Sequence, residues 1–332
     1  MNSQLRQDLV SGDWVMIAPT RAKKGPLGLI KKAEKRKKAP QKGCPFCDPK
    51  INPGKLIFLY LKNKDWKIKV IENKYPAVSH LPVSHDHACF SQKGPYPVVE
   101  GKGFHQLIIT RDHHKNFAHL NKDDAYFVFR VFRERYLTFS KDHCCAYISI
   151  FHNWGPKAGA SVYHPHYQMI SIPVIPPDVS HSLKGSERFF KKHKKCVHCE
   201  MIDYEKKEKK RIIYENKEAI VFTPFISREP FELRVFPKKH FSYFEDTPEK
   251  TLRGIIEVLQ KSLLILENKL HDPDYNFFIH TAPVKNKEKY PFYHWHIEIQ
   301  PKISISAGFE LCTGIEITIV DPDDAAKILK SN

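Results

Sequence analysis

The stretch FHNWGPKAGASVYHPHYQMI, residues 151–170, closes on two histidines in an alternating frame, HPHYQ at 164–168, and HWHIE at 294–298 repeats that frame. What precedes each motif also repeats, in the same order. CPFC (44–47), ENKYPAV (72–78), the apolar run LIIT (107–110) and His113 lead to the first; CVHC (196–199), ENKEAIVF (215–222), LRVF (233–236) and His240 lead to the second. His164 follows His113 by 51 residues and His294 follows His240 by 54. Ordered self-similarity of this kind marks an internal duplication.

Each copy reads as α+β. LIIT and LRVF are short strands that deliver a histidine just past their ends. Helical spacing of apolar residues predicts a helix over 121–139 and a stronger one over 248–270, with Thr247 as N-cap and Pro248 at the first helical position. Strands are expected at 145–151 and 168–174 in the first copy, and at 276–282 and 294–299 in the second. The fold class is therefore α+β, two halves each with a mainly antiparallel sheet backed by a long helix. Proline, serine and lysine between Pro177 and Lys195 mark the boundary, giving halves at 1–180 and 190–332.

The chain has 332 residues, enough for about two domains, with 41% hydrophobic and 12% aromatic residues to fill their cores. No apolar run approaches the roughly 18 residues that a membrane-spanning helix needs. The start, MNSQLRQDLVSGDW, has no charged region followed by an apolar one, so a cytoplasmic protein without membrane association is expected. The 54 Lys+Arg against 37 Asp+Glu leave +17. That charge raises a basic two-zinc nucleic-acid-binding protein as a reading from another class. Scattered lysine runs such as KKAEKRKK (31–38) fit a solvated surface instead, and no specific nucleic-acid partner is expected.

Of eight cysteines, four form the two C-x-x-C pairs. Such pairs in a chain with no secretory signal read as metal ligands, and each needs two further ligands to close a tetrahedron. The segment 151–170 carries other chemistry. Gly155, Gly159, Ala160 and Ser161 are small enough for backbone N–H groups to approach an anion. Beyond them, one histidine of HPHYQ can bind metal while the other reaches into the anion loop, with Gln168 on the same face. A neutral imidazole attacks phosphorus without a separate base.

HPHYQ after GPKAGAS, with CPFC upstream and AGFE at 307–310, resembles the galactose-1-phosphate uridylyltransferase family of the histidine-triad superfamily, from RQDLVSGDWVMIAPTRAKK (6–24) to DPDDAAKILK (321–330). The resemblance implies two histidine-triad-like halves and ping-pong transfer of a UMP group between a UDP-hexose and a hexose 1-phosphate through a nucleotidyl-histidine. It implies His166 as nucleophile and a zinc on Cys44, Cys47, His113 and His164. Asn153, Ser161 and Gln168, beside Gly159 and Ala160, would meet the phosphoryl groups, Arg21 and Lys24 the diphosphate, Asn73 the nucleoside, and Phe309 and Glu310 the hexose. Lys24 stands where the family often has a second arginine, and Tyr167 where it has a small residue. The second half matches the C-x-x-C subtype that includes ADP-glucose phosphorylases, which carries an ADP-sugar phosphorylase as the alternative. There Cys196, Cys199, His240 and His294 would bind a second metal, zinc with iron admitted, and His296 is read as non-catalytic. A homodimer whose second subunit completes the site is compatible with this. His280 stands as a further metal or substrate candidate, and HDHAC (85–89) as loop.

Overall fold

The computed structural model describes residues 2–22, 25, 28, 38–48, 50–51, 53–62, 65–80 and 90–331. Lys24, His85, His87 and Cys89 lie outside them. The strands are β1 (Gln4–Gln7), β2 (Trp14–Ile17), β3 (Leu56–Lys62), β4 (Asp65–Glu72), β5 (Phe90–Lys93), β6 (Tyr96–Val99), β7 (His105–Thr110), β8 (Tyr147–Trp154), β9 (His166–Ile172), β10 (Ile212–Glu215), β11 (Ala219–Phe222), β12 (Leu233–Pro237), β13 (Tyr275–His280), β14 (His296–Pro301) and β15 (Glu316–Thr318). The helices are α1 (Lys122–Phe139), α2 (Pro177–His193), α3 (Val197–Glu208), α4 (Glu249–Leu270), α5 (Gly308–Thr313) and α6 (Pro322–Lys330). None is long and apolar enough to cross a membrane.

The two expected sheets are joined edge to edge. One ten-stranded sheet runs β10-β11-β12-β14-β13-β8-β9-β7-β4-β3, antiparallel at every pairing. Outward from the β13–β8 junction, β8-β9-β7-β4-β3 on one side matches β13-β14-β12-β11-β10 on the other. The long helices occupy equivalent places, α1 between β7 and β8 and α4 between β12 and β13. The duplication is thus visible as topology.

Alternation along the strands sorts the two faces. Ile150, Trp154, Tyr167, Met169, Phe277, Ile297 and Ile299 point into the main core, which α1 closes with Phe129, Phe132 and Tyr136 and α4 with Ile255, Leu259 and Leu263. Paired residues share a face, and the register sets Phe151 opposite Gln168, Ile109 opposite His166, Asn276 opposite Asn153, and Phe278 opposite Glu298. Both histidine motifs therefore open on the face turned away from the long helices.

Local detail goes beyond the expected elements. The segment expected as a boundary is α2, whose Val179 and Leu183 pack with Tyr147 of the first half and Tyr243, Ala282 and Tyr293 of the second. CVHC opens a helix, with Cys196 as the cap of α3. The α4 helix starts one residue late, with Pro248 as its cap: Pro248 itself is extended, at ψ 150°, and its carbonyl accepts the Leu252 N–H that opens the helix.

Candidate functional site

Cys44, Cys47, His113 and His164 converge, their ligand atoms all within 4.8 Å of one another. Cys47 Sγ lies 3.3 Å from His113 Nδ1 and 3.2 Å from His164 Nδ1, and the two Nδ1 atoms are 3.2 Å apart. Tetrahedral zinc with ordinary Zn–S and Zn–N bonds sets ligand edges of about 3.3–3.8 Å, so the spacing fits. The outer nitrogens supply the second observation. His113 Nε2 donates to the Ala39 carbonyl and His164 Nε2 to the Thr110 carbonyl. Each bond places the ring proton on Nε2 and aims an unprotonated Nδ1 at the centre.

His166, two residues on, has the opposite tautomer. Its Nδ1 donates to the His164 carbonyl at 2.9 Å, so Nε2 keeps its lone pair. Burial pushes its pKa down against the opposing effect of that bond, so the ring is neutral. Phe46, from the middle of CPFC, packs its ring edge-on against both His164 and His166, at 5.7 and 5.2 Å between centroids. The metal set and the free imidazole are thus built as one unit.

The small-residue loop departs from the expected anion cradle. Pro156–Ala158 is a tight helical turn between Gly155 and Gly159, with Gly159 left-handed at φ 85°. The N–H groups of Ala158 and Ala160 go to the Gly155 carbonyl and that of Gly159 to the Pro156 carbonyl. These three N–H groups are engaged within the turn, so donation to an anion turns on the groups beside them. Asn153 and Gln168, on the His166 face, are placed for it, and Ser161 is exposed at the end of the loop. The second half clamps the loop: the Lys157 N–H donates to Asp274, and Asn276 donates to Ala158.

Asn73 follows β4, its Oδ1 accepting from the Tyr75 N–H. Arg21, Phe309 and Glu310 lie elsewhere. Arg21 ends the turn after β2, and Phe309 and Glu310 sit in α5, just before β15, which pairs with β2. The Glu310 carboxylate accepts the Ala307 N–H and caps its own helix, and with the charge of nearby Arg21 this holds its pKa low. AGFE is thus the start of a short helix.

Cys196, Cys199, His240 and His294 form the second group within 4.8 Å. Cys199 Sγ is 3.4 Å from His240 Nδ1 and 3.6 Å from His294 Nδ1, and His240 Nε2 donates to the Pro291 carbonyl. His296 repeats the His166 geometry, Nδ1 donating to the His294 carbonyl. Its Nε2, however, lies 3.5 Å from Glu298, the residue that stands where Gln168 does in the first half. Arg234 and His280 also face Glu298, beside a cavity of about 330 Å³. A carboxylate at that point repels a phosphate. The Gln-to-Glu difference was readable by aligning HPHYQ with HWHIE, whereas nothing local singled out Arg234, His105 or Asn276.

The profile of the family described as galactose-1-phosphate uridyl transferase, N-terminal domain, matches residues 1–176. A second profile, a domain of unknown function (DUF4921), matches 98–331. An ADP-glucose phosphorylase of Arabidopsis thaliana is 32% identical over 98% of this chain and 92% of its own. A galactose-1-phosphate uridylyltransferase of Thermotoga maritima is 24% identical over 98% of both. The crystal structure of an Arabidopsis ADP-glucose phosphorylase with bound ADP-glucose superposes with a TM-score of 0.82 at 28% identity, covering 100% of this chain and 99% of that one.

Proposed function

From the membership of this chain in the galactose-1-phosphate uridyl transferase family, and hence its standing as a nucleotidyltransferase, we propose that His166 carries the transferred nucleotide in a two-step exchange between a nucleoside-diphosphate hexose and a phosphate acceptor. The observation that carries this is the His166 ring, neutral, with Nδ1–H held by the His164 carbonyl and the Nε2 lone pair free. Nε2 attacks the α-phosphorus, an N–P bond forms, and the bond to the bridging oxygen breaks to release hexose 1-phosphate. The proton stays on Nδ1, where the His164 carbonyl stabilises the cationic ring. An oxygen of the acceptor then attacks phosphorus, and the N–P electrons return to the ring. Asn153, Ser161 and Gln168 donate to the phosphoryl oxygens beside Gly159 and Ala160, and Asn73 meets the nucleoside. Catalysis belongs to residues 1–180, with 190–332 as the counterpart half and His296 silent beside Glu298.

The leading reading is uridylyl transfer between UDP-hexose and hexose 1-phosphate, in a cytoplasmic enzyme. The Arabidopsis relative at 32% identity favours a second reading, in which an ADP-hexose donates AMP to inorganic phosphate. Both metal sets suit zinc, the thiolate–imidazole set at Cys196 also admits iron, and both are structural because four protein ligands leave no open position. Arg21, Phe309 and Glu310 cluster on the small sheet apart from His166, so they serve the hexose and diphosphate of a second copy in a homodimer. Incubation with UDP-glucose plus galactose 1-phosphate, and separately with ADP-glucose plus inorganic phosphate, tests the donor. UDP-galactose from the first supports uridylyl transfer, ADP from the second supports the phosphorylase, and no product from either contradicts both.

A further inference from the structure

Asn153 and Gln168 each end in an amide with an acceptor oxygen on one side and two N–H donors on the other. Which side faces His166 decides whether a phosphate there is held or repelled. Two backbone groups, whose polarity cannot reverse, settle both orientations. The Ala158 carbonyl can only accept, so the Asn276 atom 2.8 Å from it is the amide nitrogen. The second hydrogen of that nitrogen goes to Asn153 Oδ1, also at 2.8 Å. Asn153 thus commits its oxygen to the second half and turns its NH2 toward Gly159, where a Cβ would lie 3.7 Å from Nδ2.

The second relay begins at the Ala77 N–H, which can only donate and does so to His105 Nδ1 at 3.1 Å. A ring accepting at Nδ1 carries its proton on Nε2, and Nε2 lies 2.9 Å from Gln168 Oε1. Burial holds His105 in this neutral form by pushing its pKa down, against the effect of the Gln168 bond. Gln168 therefore also commits its oxygen and keeps its NH2 free. The Asn73 amide nitrogen, 3.0 Å from the same Nε2, meets an N–H and gains no bond there, so its donors are left for a ligand.

We propose that His105 and Asn276 are positioning residues, which lock the Gln168 and Asn153 amides with their N–H donors toward the phosphoryl group transferred at His166. The inference rests on the reading of His166 as the nucleophile. Neither residue touches the reacting atoms. Asn276 comes from the second half, so the duplicated copy that lacks a nucleophile still sets the polarity of the first.

A double-variant cycle separates positioning from a structural role. Asn276→Asp keeps the shape but offers acceptors to the Ala158 carbonyl and to Asn153, which forces the Asn153 oxygen toward the phosphate. Formation of the nucleotidyl-histidine from UDP-glucose or ADP-glucose should slow about 100-fold, the scale of losing one donor aimed at developing charge. With Asn153→Ala already present, the same change should cost less than about 3-fold, because no amide remains to turn. His105→Phe with Gln168→Ala should behave alike. Should Asn276→Asp fold poorly, Asn276→Leu removes the relay without reversing it, and its smaller loss should vanish equally in the Asn153→Ala background. Losses that multiply undiminished in both cycles would overturn the positioning roles while leaving the nucleophile intact. A wild-type protein that forms no adduct would overturn the nucleophile, and the positioning roles with it.

Discussion

One carbonyl divides the labour of the two histidines in HPHYQ. The chain turns so that the carbonyl of His164 receives the Nδ1–H of His166, while the outer nitrogen of His164 donates to Thr110. The same pair of rings therefore turns Nδ1 of His164 to the Cys/His set and leaves Nε2 of His166 with its lone pair. His164→Ala should lower the metal content of the purified protein by one equivalent per chain. Unchanged metal would remove His164 from the ligand set. His152 carries a different liability. It is fully buried at the centre of the sheet, its Nδ1 donating to the His166 carbonyl, and burial pushes its pKa down to about 3. An unfolded histidine binds a proton below about 6.5, so between those values the unfolded state holds the extra proton and stability falls as pH falls. The loss at pH 5 should be about 2 kcal/mol from this residue alone. Urea unfolding at pH 7 and pH 5 measures it, and His152→Phe should shrink the difference. An unchanged difference would refute the assignment. The histidines and cysteines were legible in sequence because their types and spacing repeat. His105 and Asn276 were not, since each acts through one hydrogen bond spanning 63 and 123 residues.

Elements were legible where periodicity is strong and blurred where polar residues carry a tertiary contact. The α1 and α4 helices and the strands beside the histidines fall within three residues of expectation, because a single apolar face fixes each. By contrast, α2 has the composition of a linker, and only its packing against both halves reveals a helix. Its docking depends on Gly185, where a Cβ would overlap the Val10 carbonyl oxygen of the N-terminal turn. Gly185→Ala must displace that turn although alanine favours the helix itself. A loss of about 2–3 kcal/mol is expected, within the range for steric insertion into a packed contact, and thermal unfolding checks it. A neutral or stabilising effect would mean that α2 does not hold the N-terminal turn. The 155–160 loop shows the converse failure. Its small residues were rightly seen as unusual, but the tight turn they permit binds its own N–H groups.

At the scale of the molecule, the duplication was readable and the single sheet was not. Repeated motifs reveal two copies, whereas the β8–β13 pairing that fuses them is a backbone contact with no side-chain signature. That junction sets the second half against the loop of the first. Two metals per chain are expected, so Cys196→Ser should lower metal content to about half while His166 still reacts. Retention of both metals would disprove the second ligand set, and loss of reaction at His166 would disprove its separation from the first. The central claim is that one nitrogen of one residue becomes bonded to the transferred nucleotide. Mass spectrometry of the intact protein, after brief incubation with UDP-glucose or ADP-glucose and no acceptor, tests it directly, followed by mapping of the modified peptide. The account predicts a gain of one nucleoside monophosphate per chain, located on His166 and absent from His166→Gly, whose metal content is unchanged. An adduct on any other residue, or one that persists in His166→Gly, would contradict it.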